Sequence, residues 1–357
     1  MHQLEAFYES TPKAVGFVER RVEMPSHTVQ LYGPPRSGKT WLVLDHLSRV
    51  PRRKRLYVDL RDLRVDKEEL ARSLNPFIHA QKIETVVLDH YDGSVPLPSC
   101  RQLVVVCEKG EPVRPLMPLL ELKSLDFEEY LAFERRHIHL EHSFSLYLRT
   151  GSLPQMAQVH ETLLTMALQE AVRSIFPREN ERSLFRHLAR HLGKQVTAYQ
   201  LYTLMKKEGK ISKDWLYRTL KSWEERGIVQ WIEKMDHPRA ARRLLIYDFA
   251  MPASLYFEKS LMGQLLSLAG SHLLETSRDI YFSDHLDFLL PDEHRAILVS
   301  PFSNHQIAAQ KVAAAAEEID RYAVRRITIL TIANRFEFTF EKKPVRAVPF
   351  YEWIMGE

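Results

Sequence analysis

The chain has 357 residues, 45% of them apolar and 27% charged, a balance that excludes a disordered or low-complexity protein. The length exceeds one ordinary core, so two or three domains are expected. Fifty Lys and Arg face 46 Asp and Glu, so net charge alone demands no nucleic-acid partner.

Two cysteines, Cys100 and Cys107, are too few for a disulfide framework, and no run of about 18 apolar residues is present to cross a membrane. A cytoplasmic protein without a membrane partner is the expectation. In chain order, short apolar runs at His27–Tyr32, Arg55–Asp59, Thr85–Asp89 and Gln102–Cys107 read as buried strands. Thr40–Ser48 and Lys67–Leu74 read as helices, which gives an α/β pattern with a parallel sheet. Asp126–Arg136 and Ser143–Arg149 read as amphipathic helices, the second closed by Gly151 and Pro154, and a helical lid runs to about Phe176.

From Glu179 the order becomes three helices, Ser183–Leu192, Ala198–Lys206 and Lys213–Arg226, then strands Val229–Glu233 and Arg243–Tyr247 around Asp236–Arg242. This is the order of a winged helix-turn-helix. Between Glu179 and Leu245 there are 15 Lys and Arg against 8 Asp and Glu, so positive charge concentrates here and the remainder is slightly acidic. After Pro252 follow helix Ser260–Glu275, strands near Asp279–Phe282, Leu286–Leu290 and Ala296–Val299, helix His305–Tyr322 and strand Arg326–Ala333, with a β-prone tail, Phe336–Trp353, that can add edge strands. The expected division is 1–150, 151–178 (lid), 179–250 (winged helix) and 251–357 (a second α/β unit).

Gly33-Pro34-Pro35-Arg36-Ser37-Gly38-Lys39-Thr40 lies between an apolar strand and a helical run, the context that gives a P-loop pattern physical content. Its glycines let successive backbone N–H groups turn inward at the positive end of the next helix and cradle phosphate. Lys39 would hold the β and γ phosphates and Thr40 would ligate Mg²⁺. No Asn-Lys-x-Asp sequence is present to read guanine, so ATP is favoured over GTP. Asp89, ending Thr85-Val-Val-Leu-Asp89, fits the strand-end acid that holds the metal's water shell. His90 follows where a water-activating glutamate would be expected; it and Asp89 are the candidate catalytic pair, with Asp92 a further acid in the turn.

This order of signals resembles the bacterial and archaeal AAA-type ATPases that join a P-loop domain to a winged helix and a C-terminal restriction-endonuclease-like domain. The likeness is carried by Gly33–Thr40, the Val-Leu-Asp of residues 87–89, Leu125-Asp-Phe-Glu-Glu-Tyr-Leu131 and Tyr147-Leu-Arg-Thr-Gly-Ser-Leu-Pro154. It departs at His90, at Ser152 in place of a second glycine, and at Val106-Cys-Glu108 in place of a polar Thr-Gly-Ser. The resemblance implies a C-terminal Mg²⁺ site of an Asp and a Glu-x-Lys. Asp287 matches the Asp, but Leu298 and Ser300 stand where the Glu and Lys would be, so a degenerate nuclease-like domain is expected.

In the winged-helix segment, Leu216, Leu220 and Trp223 should be buried, leaving Lys213, Tyr217, Arg218 and Lys221 facing solvent. Arg239, Arg242 and Arg243 at the wing tip complete a set able to neutralise the phosphates of double-stranded DNA; a spacer with merely solvated charges is the alternative. His137, His139, Glu141 and His142 can be read as metal ligands or as a polar helix end, and Arg135 or Arg136 as an arginine finger. The combined expectation is an ATP- or ADP-binding AAA-type switch with slow or no hydrolysis, acting on DNA, a protein partner or another copy of itself. The alternatives are an ATPase motor with a different base, or a DNA-binding regulator with structural ATP.

Overall fold

The computed structural model describes residues 2–10, 18–108, 117–134 and 139–356. Arg135, Arg136 and His137 of the finger and metal readings lie outside these. The chain forms two compact units. The first holds residues 1–125 with 153–155 and 225–227, and the second holds 126–152, 156–224 and 228–357.

The first unit runs α1 (His2–Ser10), β1 (Val29–Tyr32), α2 (Lys39–Ser48), β2 (Arg55–Asp59), α3 (Lys67–Gln81), β3 (Thr85–Asp89), β4 (Gln102–Val106), β5 (Leu119–Glu121). Its sheet has the order β2-β3-β4-β1-β5, with every neighbouring pair parallel. The period-two pattern explains the layering, because successive side chains of a strand face opposite sides. Val86, Leu88, Leu103 and Val105 join Leu70, Leu74 and Phe77 of α3. Val87, Val104 and Val106 join Leu42, Val43 and Leu47 of α2. Both faces are therefore apolar and covered, as a parallel sheet requires. α3 is longer than expected: Asp66 caps it by accepting from Glu68 and Glu69 N–H, and it continues past Pro76 to a left-handed residue at Lys82.

The second unit runs α4 (Phe127–Phe133), α5 (Leu140–Thr150), α6 (Glu161–Ile175), α7 (Glu179–Arg190), β6 (Gln195–Val196), α8 (Ala198–Glu208), α9 (Lys213–Glu225), β7 (Val229–Lys234), β8 (Arg242–Ile246). It continues through α10 (Leu261–Thr276), β9 (Tyr281–Phe282), β10 (Phe288–Leu290), β11 (Arg295–Val299), α11 (His305–Ala314), α12 (Ala316–Arg321), β12 (Arg326–Thr331), β13 (Phe336–Phe340), β14 (Lys343–Pro349) and α13 (Phe350–Ile354). Leu216, Leu220 and Trp223 of α9 are buried, with Trp223 against Phe176 and Phe185.

The β7–β8 hairpin does not stand alone. β7 pairs in parallel with β9, so one nine-stranded sheet runs β13-β14-β12-β11-β10-β9-β7-β8-β6. The tail supplies one edge strand, β13, while β14 is interior, paired in parallel with β12. Glu341 and Lys342 both take positive φ, which matches the twist of a two-residue hairpin turn between them.

Candidate functional site

The loop 33–38 joins β1 to α2, so its backbone sits at the carboxyl edge of a parallel sheet, where such folds bind ligands. Gly33 has φ 157°, and a Cβ there would lie 2.1 Å from the Leu122 carbonyl oxygen; Gly38 has φ 97°. Both positions therefore require glycine. Arg36 also takes positive φ, 59°. Among the described residues no side chain caps the start of α2, leaving its first-turn N–H groups for a ligand. Ser37 Oγ is buried without a hydrogen-bond partner among the described residues, and a phosphate oxygen suits such a hydroxyl.

Lys39 folds over this loop, donating to the carbonyls of Gly33 at 2.9 Å and Pro34 at 2.8 Å. Burial pulls its pKa down to about 8, opposed by the charges of Glu108 and then Asp89. Thr40 Oγ1 donates to Asp89 Oδ2 at 2.8 Å, so the two proposed metal-binding side chains converge although 49 residues separate them. Asp89 is fully buried and also accepts from Tyr57 OH at 2.8 Å and His90 N–H at 2.8 Å. Burial, then the Asp89 charge, pushes the Tyr57 phenol pKa upward, so Tyr57 remains a neutral donor. These residues suit a magnesium–triphosphate group: a helix start with no side-chain cap among the described residues, an ammonium, a hydroxyl and a carboxylate.

Arg20, Asp59 and Glu108 carry no site signal of their own in the sequence. Arg20, 6% exposed, donates to the carbonyls of Ser37 and Lys123, both at 2.9 Å, and so fixes the loop from outside it. Asp59, in register with Asp89, lies 2.8 Å from His90 Nδ1, and this hydrogen bond raises the His90 pKa. His90 itself takes positive φ, 53°. Glu108 accepts from Arg61 at 3.2 Å and from Arg226. Asp92, by contrast, is tied to Lys67 Nζ at 2.5 Å and to Ser94. Pro154 and Gln155, at the end of the resemblance-bearing turn, touch the loop: the Pro154 ring is next to Gly38, and Gln155 accepts from Arg36 at 3.0 Å.

In the second unit, Lys213, Tyr217, Arg218, Lys221 and Arg239 are exposed. Arg242 is half-buried over the Trp231 ring and 3.7 Å from Glu224. Arg243 corrects the wing-tip expectation. It is 8% exposed, with its guanidinium over Phe282 and 3.9 Å from Asp287, because β8 turns adjacent residues to opposite faces. Asp287 also accepts from Val299 N–H at 2.8 Å and Lys311 Nζ at 3.0 Å, and Lys311 in turn donates to Val299 O at 2.8 Å. Among the described residues no three His, Cys, Asp or Glu side chains converge as metal ligands; Glu141 accepts from Tyr351 OH.

The other motif, Tyr147–Pro154, makes a buried knot. Asp248 accepts from Ser152 N–H at 2.7 Å and from the N–H groups of Ala250 and Met251, and a Cβ at Gly151 would meet its carboxylate.

No family model matches the chain, and no curated protein matches it. Among the solved structures similar to it are two that show the kind of likeness. One is the Orc1 protein of Aeropyrum pernix in complex with DNA, 15% identical over 66% of this chain and 87% of that one, with a TM-score of 0.35. The other is a signal transduction ATPase with numerous domains and a tetratricopeptide repeat sensor from Pyrococcus horikoshii, 14% identical over 75% of this chain and 47% of that one, with a TM-score of 0.29. Similarity of this degree does not assign the chain to a family.

Proposed function

We propose that this chain is an AAA-type nucleotide switch that binds ATP with Mg²⁺ at Gly33–Thr40 and hydrolyses it slowly or not at all. The observation that carries the reading is the meeting of Thr40 and Asp89 at 2.8 Å beside a loop that Lys39 bonds and that leads into a helix start with no side-chain cap among the described residues. Lys39 would leave the Gly33 and Pro34 carbonyls for the β and γ phosphates, Thr40 would supply an oxygen to the metal, and Asp89 would hold its water shell. Bound Mg²⁺ supplies neutralisation of phosphate charge. The parts that would respond are a lid (151–178), a winged helix (179–250) and a nuclease-like domain without nuclease chemistry (251–357).

Double-stranded DNA is the partner that suits the exposed Lys213, Tyr217, Arg218, Lys221 and Arg239, with Arg242 half-exposed. An active ATPase is the second reading, favoured by one contact. Asp59 on His90 Nδ1 leaves the other ring nitrogen of a neutral imidazole able to accept a proton. Titration calorimetry with Mg²⁺-ATP, followed by product analysis, tests both. Lys39→Ala should weaken uptake by roughly a hundredfold or more, the consequence of removing a buried cation from the phosphates. Unchanged affinity in that variant would overturn the switch reading, and steady ADP release that stops in His90→Ala would establish the ATPase instead.

A further inference from the structure

Glu108 stands one residue beyond Cys107, whose N–H still pairs with Leu31 O of β1 at 3.0 Å; β1 ends one residue later and the phosphate loop begins at Gly33. An acid is therefore built in beside the loop, on the strand between the loop strand and the Asp89 strand. Its carboxylate is the negative charge that most supports the Lys39 ammonium, ahead of Asp89. Two guanidiniums hold it. Arg61 bonds one oxygen and Arg226 the other, and the charge of Arg61 also acts on Lys39 and on His90. Glu108, just past the end of β4, is thus the shared anion of Arg61, just past the end of β2, and Arg226.

We propose that Glu108 discriminates between nucleoside triphosphate and diphosphate by standing in for the terminal phosphate as the anion that occupies Arg61 and Arg226. The inference rests on the nucleotide reading above. A diphosphate satisfies the loop amides and Lys39 without disturbing this cluster. A third phosphate extends towards the strand ends, where it meets like charge from Glu108 and attraction from two arginines already engaged. It binds by taking those arginines over, and the exchange alters the hold on Arg226. A like charge placed against one of two related ligands is a direct route to selectivity, and the free energy of exchange is what couples the nucleotide state to Arg226. Arg61, with its side chain 64% exposed against 28% for Glu108, has the freedom to swing; Arg226, at 25%, is the constrained partner.

Calorimetry on the full chain, with Mg²⁺ present and with ADP or a non-hydrolysable ATP analogue as probe, separates the two ligands. Glu108→Gln should tighten the triphosphate roughly tenfold and ADP by less than about threefold, because only the triphosphate is relieved of a repulsion. Arg226→Gln should do the opposite, weakening the triphosphate roughly tenfold with ADP little changed. Arg61→Gln, at an exposed position that tolerates substitution, should weaken it in the same direction. Equal shifts for both nucleotides, or a weakened triphosphate in Glu108→Gln, would overturn the inference while leaving the nucleotide reading intact. Wild-type protein that takes up neither probe would remove the nucleotide reading and this inference together.

Discussion

Asp89, at the end of β3, and Asp287, just before β10, are both acids largely shielded from solvent, yet their partners differ in kind. Asp89 accepts from two hydroxyls and a backbone N–H, all neutral donors. The nearest ammonium, Lys39, is bonded to carbonyls instead. Asp287 is held by the Lys311 ammonium at 3.0 Å, with the Arg243 guanidinium 3.9 Å away. Neutral donors orient a carboxylate while leaving its charge for a metal. Cationic donors cancel that charge from within the protein, and the same Lys311 also takes the Val299 carbonyl that a cation would otherwise find. Neutral donors hold the first carboxylate, and cations of the protein itself hold the second.

The comparison breaks first, and by the largest effect, in the second unit. Asp287→Ala strands two largely buried cations, so it should destabilise the protein by about 3 kcal/mol, since removing one member of a buried ion pair leaves an uncompensated charge. Pairing Asp287→Leu with Lys311→Met should cost less than the single change, because the unmatched ammonium goes too. Chemical denaturation of the three proteins measures this. A single variant within about 0.5 kcal/mol of wild type, the range of ordinary surface changes, would mean that Asp287 is not neutralised as described.

The next test sharpens the first site. Asp89→Asn keeps a side chain of the same shape but removes the negative charge, so the benefit of Mg²⁺ to ATP binding should fall by roughly tenfold. The measurement is the ratio of ATP affinities with the ion and with a chelator, for wild type and variant. Exposed Trp41, two residues after Lys39, provides a fluorescence readout. A ratio that survives in Asp89→Asn would show that the acid is structural, a second Asp287 rather than its opposite.

What the sequence makes legible follows the range of each interaction. The loop 33–40, Asp89 and the buried stripe Leu216, Leu220, Trp223 are all written in local spacing, a strand-loop-helix pattern or a helical period. Arg20 is invisible at that range because its partners, Ser37 and Lys123, lie 17 and 103 residues away. Glu108 registers only as a departure from a resemblance, since Arg226 lies 118 residues further on. The joining of β7 to β9 is equally hidden: that pair spans a helix and a long connection, and nothing local marks it.

Arg243 lies within reach of sequence reasoning, and the wing-tip expectation nonetheless misplaces it. Arg242 and Arg243 are neighbours on one strand, and a strand sends neighbours to opposite faces, so both could not serve the same surface. This gives the smallest expected effect and a direct check on the proposed winged-helix surface. Arg218→Ala together with Lys221→Ala should weaken duplex DNA binding several-fold and reduce its salt dependence by about two counterions, one for each phosphate that the variant no longer neutralises. Arg243→Gln should leave the salt dependence where it was and lower the unfolding midpoint instead, because its guanidinium is held between Asp287 and Phe282. Filter binding or fluorescence anisotropy across a salt series, with a melt of each variant, separates the two residues. A salt slope that changes in Arg243→Gln but not in Arg218→Ala/Lys221→Ala would turn the surface around and place the charged contact on the β8 side.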